Sequence, residues 1–434
     1  MNPIESLERV KTTLARQYAD AQAVLAADYL ERARSIAPLV EREADATERG
    51  AMITKAVHEA FVATGLYWMV LPRELGGAEL GGRGGFEVIE EIATADGSTG
   101  WSLMANAFNN GLASAFMPDK GADIMYGGKE KAITCGQFSA AGKAVEVDGG
   151  LLGGGHYRFG SGSGHANWIG GGVVVYENGK PRLRENGTPD TRVIHVPFGK
   201  FRLCGNWDVI GLVGTASFDY EIPEQFVPSY LVMEGSPTPT PLRGGPFFHL
   251  GWFGFGAVGH SAVVLGIVKR ALREVVTIVH GKSRMGYACH VHEHPVFKHQ
   301  FAFHEASYWA ARHLILSAID DAEATVAAGG TLTPLHHARL RQACSWVHNI
   351  AVDVVQFCHH WGATQAFRNP SALGRCTRDL AVATQHIIAD ESALADNADP
   401  IYASWLDRVS QSAKLGEAID TDHAPRRTQI AQQS

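Results

Sequence analysis

Apolar residues in the first part of the chain recur every three or four positions, and Leu7, Val10, Leu14, Tyr18, Ala21, Leu25 and Tyr29 draw one stripe along a long helix. Helical patterning continues through "AMITKAVHEAFVATGLYWMVLP" and "FEVIEEIATADGSTGWSLMANAF". It is broken at "PRELGGAELGGRGG", where Pro72 and several glycines prohibit a continuous helix. From about residue 131 the period changes to two. Short β-rich runs, "WIGGGVVVY", "RVIHVPF" and "ASFDYEIPEQFVP", alternate with glycine turns, and in the last run Phe218, Tyr220 and Ile222 alternate with Asp219 and Glu221. After the connector "EGSPTPTPLRGGP" helical periodicity returns and is predicted to hold to about residue 395, in three or four long helices. The stretch "DHAPRRTQIAQQS" reads as a polar, mobile tail. The predicted organisation is α+β: a helical domain (1–130), a compact β-domain (131–236), a helical bundle (237–400) and a C-terminal tail (401–434).

Bulk properties narrow the class. At 434 residues, with 45% hydrophobic and 19% charged positions, the chain is long enough for two or three packed layers. A net charge of -7 and the lack of a clustered basic surface argue against nucleic acid as a partner. Charges every few residues near the N-terminus leave no signal-peptide core, and no run approaches the roughly 18 apolar residues of a membrane helix, so a cytoplasmic location off the membrane is expected. The six cysteines (Cys135, Cys204, Cys289, Cys344, Cys358, Cys376) lack a CxxC pair and read as reduced thiols. No Walker motif and no Gly-x-Gly-x-x-Gly between a strand and a helix is present, so a nucleotide-binding Rossmann domain is not expected.

Five segments, in order, carry a family resemblance: "LPRELGGAEL", "IATADGSTGW", "GHYRFGSGSGHANW", "GLVGTASFDYEIPEQFVP" and "LGRCTRDLAVATQH". The chain resembles the acyl-CoA dehydrogenase superfamily, and within it the flavin-dependent monooxygenases that form the oxygenase subunit of two-component hydroxylases. The resemblance implies an N-terminal helical domain, a central β-barrel or sandwich and a C-terminal four-helix bundle. It further implies a homotetramer, and an enzyme that takes reduced flavin (FMN or FAD) from a separate NAD(P)H-flavin reductase. With O2, such an enzyme oxygenates a small apolar or aromatic substrate through a C4a-hydroperoxyflavin.

The same resemblance assigns roles. Ser161, in "FGSGSGH", would face flavin N5, with Gly162 allowing close backbone approach; an ordinary turn hydroxyl is the bland alternative. Gln137 and Ser139, in "CGQFSAAGKA", fall on the family's first flavin loop, with Phe138 beside the substrate. Trp168 would cover the flavin or fill the β-core, and His165 ranks with it. Arg284 would reach a flavin phosphate across a subunit interface, near Gly362.

His386 is expected on a helix with the seam Leu373, Leu380, Ile387 and Leu394, placed to accept a proton or hydrogen bond from a phenol. A structural histidine is the alternative. Trp101 and Asn109 would line the substrate site. Asn109 stands where many such monooxygenases carry a second histidine, and an amide takes no proton at neutral pH, which opens the substrate class beyond phenols. Arg378 and Asp379 read as an internal helix ion pair.

A metal reading of "CHVHEHPVFKHQFAFHE" uses His290 and His294 with Cys289 and Glu293, but Pro295 disfavours helical geometry at His294, and no metal is assigned. Two other functions stay open. An acyl-CoA dehydrogenase would need a glutamate base, for which Glu293, Glu305 and Glu391 are candidates; a binding protein that keeps the fold without turnover is the other.

Overall fold

The computed structural model describes residues 3–235 and 240–422. Helices α1 (Pro3–Gly50), α2 (Lys55–Thr64), α3 (Gly82–Ala95), α4 (Gly97–Phe116) and α5 (Asp119–Tyr126) precede the strands. Helices α6 (Gly251–Val279), α7 (Pro295–Ala327), α8 (Pro334–Gly362), α9 (Thr364–Phe367), α10 (Ala372–Ala383), α11 (Ser392–Asp396) and α12 (Ala398–Asp422) follow them. Between lie β1 (Thr134–Val147), β2 (Gly150–Gly160), β3 (Trp168–Glu177), β4 (Lys180–Pro181), β5 (Thr191–Pro197), β6 (Arg202–Gly205), β7 (Phe218–Pro228) and β8 (Val232–Glu234). The chain thus has helical regions on both sides of a central sheet, as the periodicities predict.

The strands form one mixed sheet in the order β6-β7-β2-β1-β3-β5-β8, with β4 paired to β3. β1 runs antiparallel to β2 and parallel to β3. The glycine-rich segment after β2 is therefore a crossover between strands on opposite sides of β1, not a hairpin turn. A bulge in β1 between Gln137 and Gly142 breaks its register with β3.

Asp96 alone separates α3 from α4. Its backbone is extended, and its carboxylate accepts from Thr99 N (2.9 Å) and Thr99 Oγ1 (2.7 Å), so the pattern "ATADGST" stops one helix and caps the next. α6 is the axis of the bundle, apolar on nearly every face and packed against α3, α4, α8 and α10.

Three sequence expectations need correction. The last bundle helix ends at Ala383 rather than near 395, because side chains take over the backbone donors beyond it: His386 Nδ1 accepts from Ile388 N and Asp390 Oδ1 from Ser392 N. His386 is consequently on a turn, and Ile387, expected in a buried seam, is exposed. The tail from 401 is helical as far as Asp422; its last part lies outside the described residues, as does part of the 234–246 connector. Arg378 pairs with Glu48 of α1, while Asp379 accepts from Leu212 N (2.6 Å), so these two residues tie α10 to α1 and to the loop before β7 instead of to each other. Burial pushes the Asp379 carboxyl up to about 8.

Glu323 of α7 supplies a pH-dependent joint between layers. Its carboxylate accepts from Gly82 N at the start of α3 (2.7 Å), and burial raises its pKa to about 7. The folded state therefore binds this proton more tightly than the unfolded chain does. The associated stability is complete below the ordinary glutamate value of 4.5 and is lost as pH rises through about 7. Glu323→Gln, which cannot ionise, should gain stability relative to the parent at pH 8.5 and not at pH 4.5, by on the order of 1–3 kcal/mol. Thermal melts of both proteins at the two pH values check this, and an equal offset at both would contradict it.

Candidate functional site

Three structural layers meet at Trp101. This residue lies on α4, is buried, and donates from Nε1 to Ser161 Oγ at 3.0 Å, joining the first helical region to the β2–β3 crossover. Its ring stands edge-on to His260 of α6 (centroids 4.6 Å) and to His386 (5.9 Å), and those two imidazoles stack at 4.0 Å. The sequence reading anticipated Trp101, Ser161 and His386, and they converge here. It did not anticipate His260.

Ser161 sits in a chain of hydroxyls whose direction is fixed at both ends. Its Oγ contacts Ser217 Oγ (2.8 Å), which contacts Thr215 Oγ1 (2.7 Å), which donates to Leu212 O (2.7 Å). The indole N–H can only donate and the carbonyl can only accept, so each hydroxyl passes its hydrogen toward Leu212. Ser161 thus spends its proton on Ser217 and presents its remaining lone pair as an acceptor.

Gly162, next along the crossover, has φ +75°, and a Cβ there would meet the Asn106 amide at 2.4 Å. Asn106 Nδ2 donates to Thr134 O and Gly162 O, so this glycine lets the crossover dock on α4.

The His386 turn also fixes a tautomer. Ile388 N donates to Nδ1 at 3.2 Å, which places the hydrogen of the neutral ring on Nε2. By surface area the residue is exposed, although protein atoms crowd the ring closely enough to desolvate it. Burial, followed by the neighbouring His348 and Arg341, lowers its pKa to about 4. His386 is therefore a neutral donor at Nε2 rather than the proton acceptor the sequence suggested.

Behind it, His348 donates from Nδ1 to Cys344 O (2.8 Å), and its buried Nε2 has no partner among the described residues. His260 Nδ1 is likewise buried and unpaired, and burial holds the pKa of His260 well below the usual imidazole range. Lone histidines in the apolar runs "AVGHSAVVLG" and "SWVHNIAVDVV" were the available signal. On one sequence they read as ordinary core histidines.

Asn109, two turns beyond Trp101 on α4, donates from Nδ2 to Ala105 O (2.7 Å), leaving Oδ1 as an acceptor. Phe138, in the β1 bulge, packs on Trp252 (4.9 Å) and lies near His195 of β5 (6.4 Å). Both ring nitrogens of His195 and Nε1 of Trp252 are buried without partners among the described residues. Gln137 donates its backbone N–H to Tyr220 Oη and is half-buried, while Ser139 is exposed. Trp168 packs, partly buried, against the core of the sheet.

Other sequence candidates lie away from this centre. His165 is committed to Ile53 O (2.8 Å) and stacked on His58. Arg284 donates to Trp361 O (3.1 Å) beside Gly362, whose carbonyl accepts from Lys282 Nζ (3.2 Å), giving a two-cation patch at the end of α8. A Cβ on Gly362 would meet Leu373 at 2.6 Å, so the absent side chain serves the α8–α10 contact.

His290 and His294 cap short helical starts, and no group of three or more potential metal ligands is assembled among the described residues. Glu293 accepts from His290 N, Glu305 from Trp309 Nε1 and Glu391 from Asn349 Nδ2, so each of these carboxylates is engaged on its own element or a neighbour.

Comparison with known proteins places this geometry in context. Residues 258–391 match the family described as "Acyl-CoA dehydrogenase, C-terminal domain". The chain is 28% identical over 345 residues to an indole-3-acetate monooxygenase of Pseudomonas putida, covering 78% of this chain and 84% of that one. It is 23% identical to the flavin-dependent monooxygenase oxygenase subunit HsaA of Mycobacterium tuberculosis, covering 86% and 93%. Among solved structures, XiaF from Streptomyces sp., in complex with FADH2 and glycerol, superposes with a TM-score of 0.79 at 22% identity, covering 90% of this chain and 98% of that chain.

Proposed function

We propose that this chain, which belongs to the acyl-CoA dehydrogenase superfamily and to its flavin-dependent monooxygenase branch, is the oxygenase of a two-component system acting on a small aromatic substrate. A separate NAD(P)H-flavin reductase supplies the reduced flavin. The observation that carries the reading is the convergence of Ser161, Trp101, His260 and His386 where the sheet meets both helical regions.

The residues present fit a flavin. The orphaned polar atoms of His195 and Trp252 flank the Phe138 face, where a polar heteroaromatic ring would supply the missing partners. Ser161 Oγ offers a lone pair to an N–H donor, which reduced flavin carries at N5. Gln137, Ser139 and Trp168 would complete the ring site, and Arg284 beside Gly362 would hold the phosphate of a flavin in a neighbouring subunit of a homotetramer. When bound, reduced flavin activates O2, one atom of which enters the substrate while the other leaves as water.

The protein's own contribution is orientation and exclusion of water. Trp101 walls the centre with apolar surface, Ser161 would hold the cofactor's N–H, and His386 would donate from Nε2 to an oxygen or other acceptor at the reacting end. Asn109 Oδ1 accepts a hydrogen bond from the substrate. A substrate with an N–H donor, as in an indole, suits this pair better than a phenol that must lose a proton. Glu293, Glu305 and Glu391, the candidate bases, are each engaged with other partners, which favours oxygenation over the acyl-CoA dehydrogenase reading.

The purified chain, supplied with FADH2 or FMNH2 and 18O2, should convert indole or indole-3-acetate to a product carrying one 18O atom. Absence of product from a panel of small aromatics, or reduction of bound flavin by an acyl-CoA, would refute the proposal.

A further inference from the structure

Beyond the His386 turn lies a recess of about 320 Å³ that the centre just described does not use. Phe253, His337, Leu340, Arg341, Asp396 and Asn397 line it. Its volume lies at the lower end of the range for small-molecule sites.

Arg341 dominates its chemistry. The guanidinium donates from one nitrogen to Ile388 O (3.1 Å), the backbone of the turn that carries His386, and sits 5.0 Å from the centroid of the Phe253 ring. Among the described residues it makes no ion pair, unlike the partly buried arginines at 182, 192, 270, 312 and 375 and like Arg284 and Arg339. Two carboxylates act on it at a distance without pairing: Asp390 is turned to Ser392 N (2.8 Å), and Asp396 lines the recess outside ion-pair distance. A half-buried guanidinium has five donors in a planar fork, and among the described residues only one nitrogen has a hydrogen-bond acceptor, Ile388 O. Burial lowers its pKa, with Cys344, Asp396 and Asp390 pulling the other way.

The apolar lip has matching character. Phe253 exposes about half its surface, 47%, beside that fork, a flat face for an aromatic ring whose acidic arm reaches Arg341. The recess also adjoins the reaction centre through one residue. Ile388 gives its carbonyl to Arg341 and its side chain to the space above Gly256, where a Cβ would approach Cδ1 at 2.9 Å.

From this we infer that the recess binds the carboxylate of an aromatic acid, with Arg341 pairing the acid and Phe253 packing on the ring. The inference rests on the oxygenase reading for its meaning, since a recess beside the His386 turn would gather aromatic monocarboxylates next to the reaction centre, but the binding site stands on the geometry of the recess. Arg341 is thereby a specificity residue, acting through affinity for the acid rather than on the reacting atoms.

The test is calorimetric titration of the full chain, without flavin, with indole-3-acetate, its neutral isostere indole-3-acetamide, and indole. The parent should prefer the acetate over the acetamide by tenfold or more. Arg341→Gln should erase that preference, weakening the acetate at least tenfold while leaving indole unchanged. Asp396→Asn, which removes the like charge from the wall, should tighten the acetate several-fold, and it keeps the inference testable if the arginine variant fails to fold.

No preference in the parent, no binding of the acetate, or equal weakening of acetate and indole by Arg341→Gln would overturn the site. Oxygenation of indole by Arg341→Gln is measured separately. Its retention with the preference lost supports the inference, whereas a parent that binds the acetate selectively but oxygenates nothing counts against the oxygenase reading alone.

Discussion

Ser161→Ala should lower the product formed per O2 consumed by about ten- to a hundredfold, with the lost oxygen recovered as hydrogen peroxide. That range corresponds to the loss of one hydrogen bond worth about 1.5–3 kcal/mol in a water-poor site. The substitution removes the acceptor of the Trp101 indole N–H and the lone pair offered to the cofactor in one step.

Ser217→Ala separates the two effects. It leaves the Trp101–Ser161 bond in place and removes only the acceptor that orients the Ser161 hydroxyl, so Ser161 regains a free hydrogen and can turn donor. A smaller rise in peroxide is expected from Ser217→Ala, with flavin affinity changed less than about threefold in both variants. Parallel measurement of O2 uptake, peroxide and product decides the matter. Unchanged coupling in Ser161→Ala would remove this side chain from the reaction and leave it a hydroxyl of the crossover.

Much of this arrangement was legible in the sequence, for reasons that differ by residue. The change of period near residue 131 reported the passage from helices to sheet directly, because side-chain direction follows backbone repeat in both. The helical pattern ran straight through Asp96, where the structure has a boundary, because the apolar period persists on both sides and only the capping partner Thr99, three residues on, marks the break. The glycine run after β2 was legible as a turn but not as a crossover. Glycine frequency signals sharp turning, but whether the turn joins neighbours or crosses over β1 depends on strand pairing, which local sequence does not encode.

His386 shows a different limit. Heptad spacing extended the helix through it, and the competing bonds from His386 and Asp390 to nearby backbone N–H groups ended the helix first. His260 and His348 were legible only as isolated polar residues on apolar helices. Their meaning comes from α6 and α8 packing side by side, a contact between positions 88 residues apart in the chain (348 − 260).

The turn at His386 also sets the sharpest expectation about chemistry. A histidine that accepts a phenolic proton with an ordinary pKa near 6.5 would give an activity that rises through that pH. The bond from Ile388 N to Nδ1 excludes this behaviour, since protonating Nδ1 would set two N–H donors against each other at 3.2 Å. With the folded-state pKa lowered to about 4, His386 stays neutral across the physiological range. The oxygenation rate should therefore be flat between about pH 5.5 and 8, falling only as pH approaches 4.

His386→Phe keeps a flat ring against His260 and Trp101 but removes the Nε2 donor, and should reduce oxygenation by about a hundred- to a thousandfold, as loss of a preorganised donor does elsewhere. Flavin binding, followed by fluorescence, should remain within about threefold of the parent. His260→Phe gives the complementary reading: the stack survives without the buried, unpaired Nδ1, so only a loss of activity with intact flavin binding would make His260 more than packing for its neighbour. An ascending limb near pH 6.5 in the parent that vanishes in His386→Phe would show that the ring takes up a proton after all. The bond to Ile388 would then have to break during turnover, and the donor role assigned to Nε2 would fall with it.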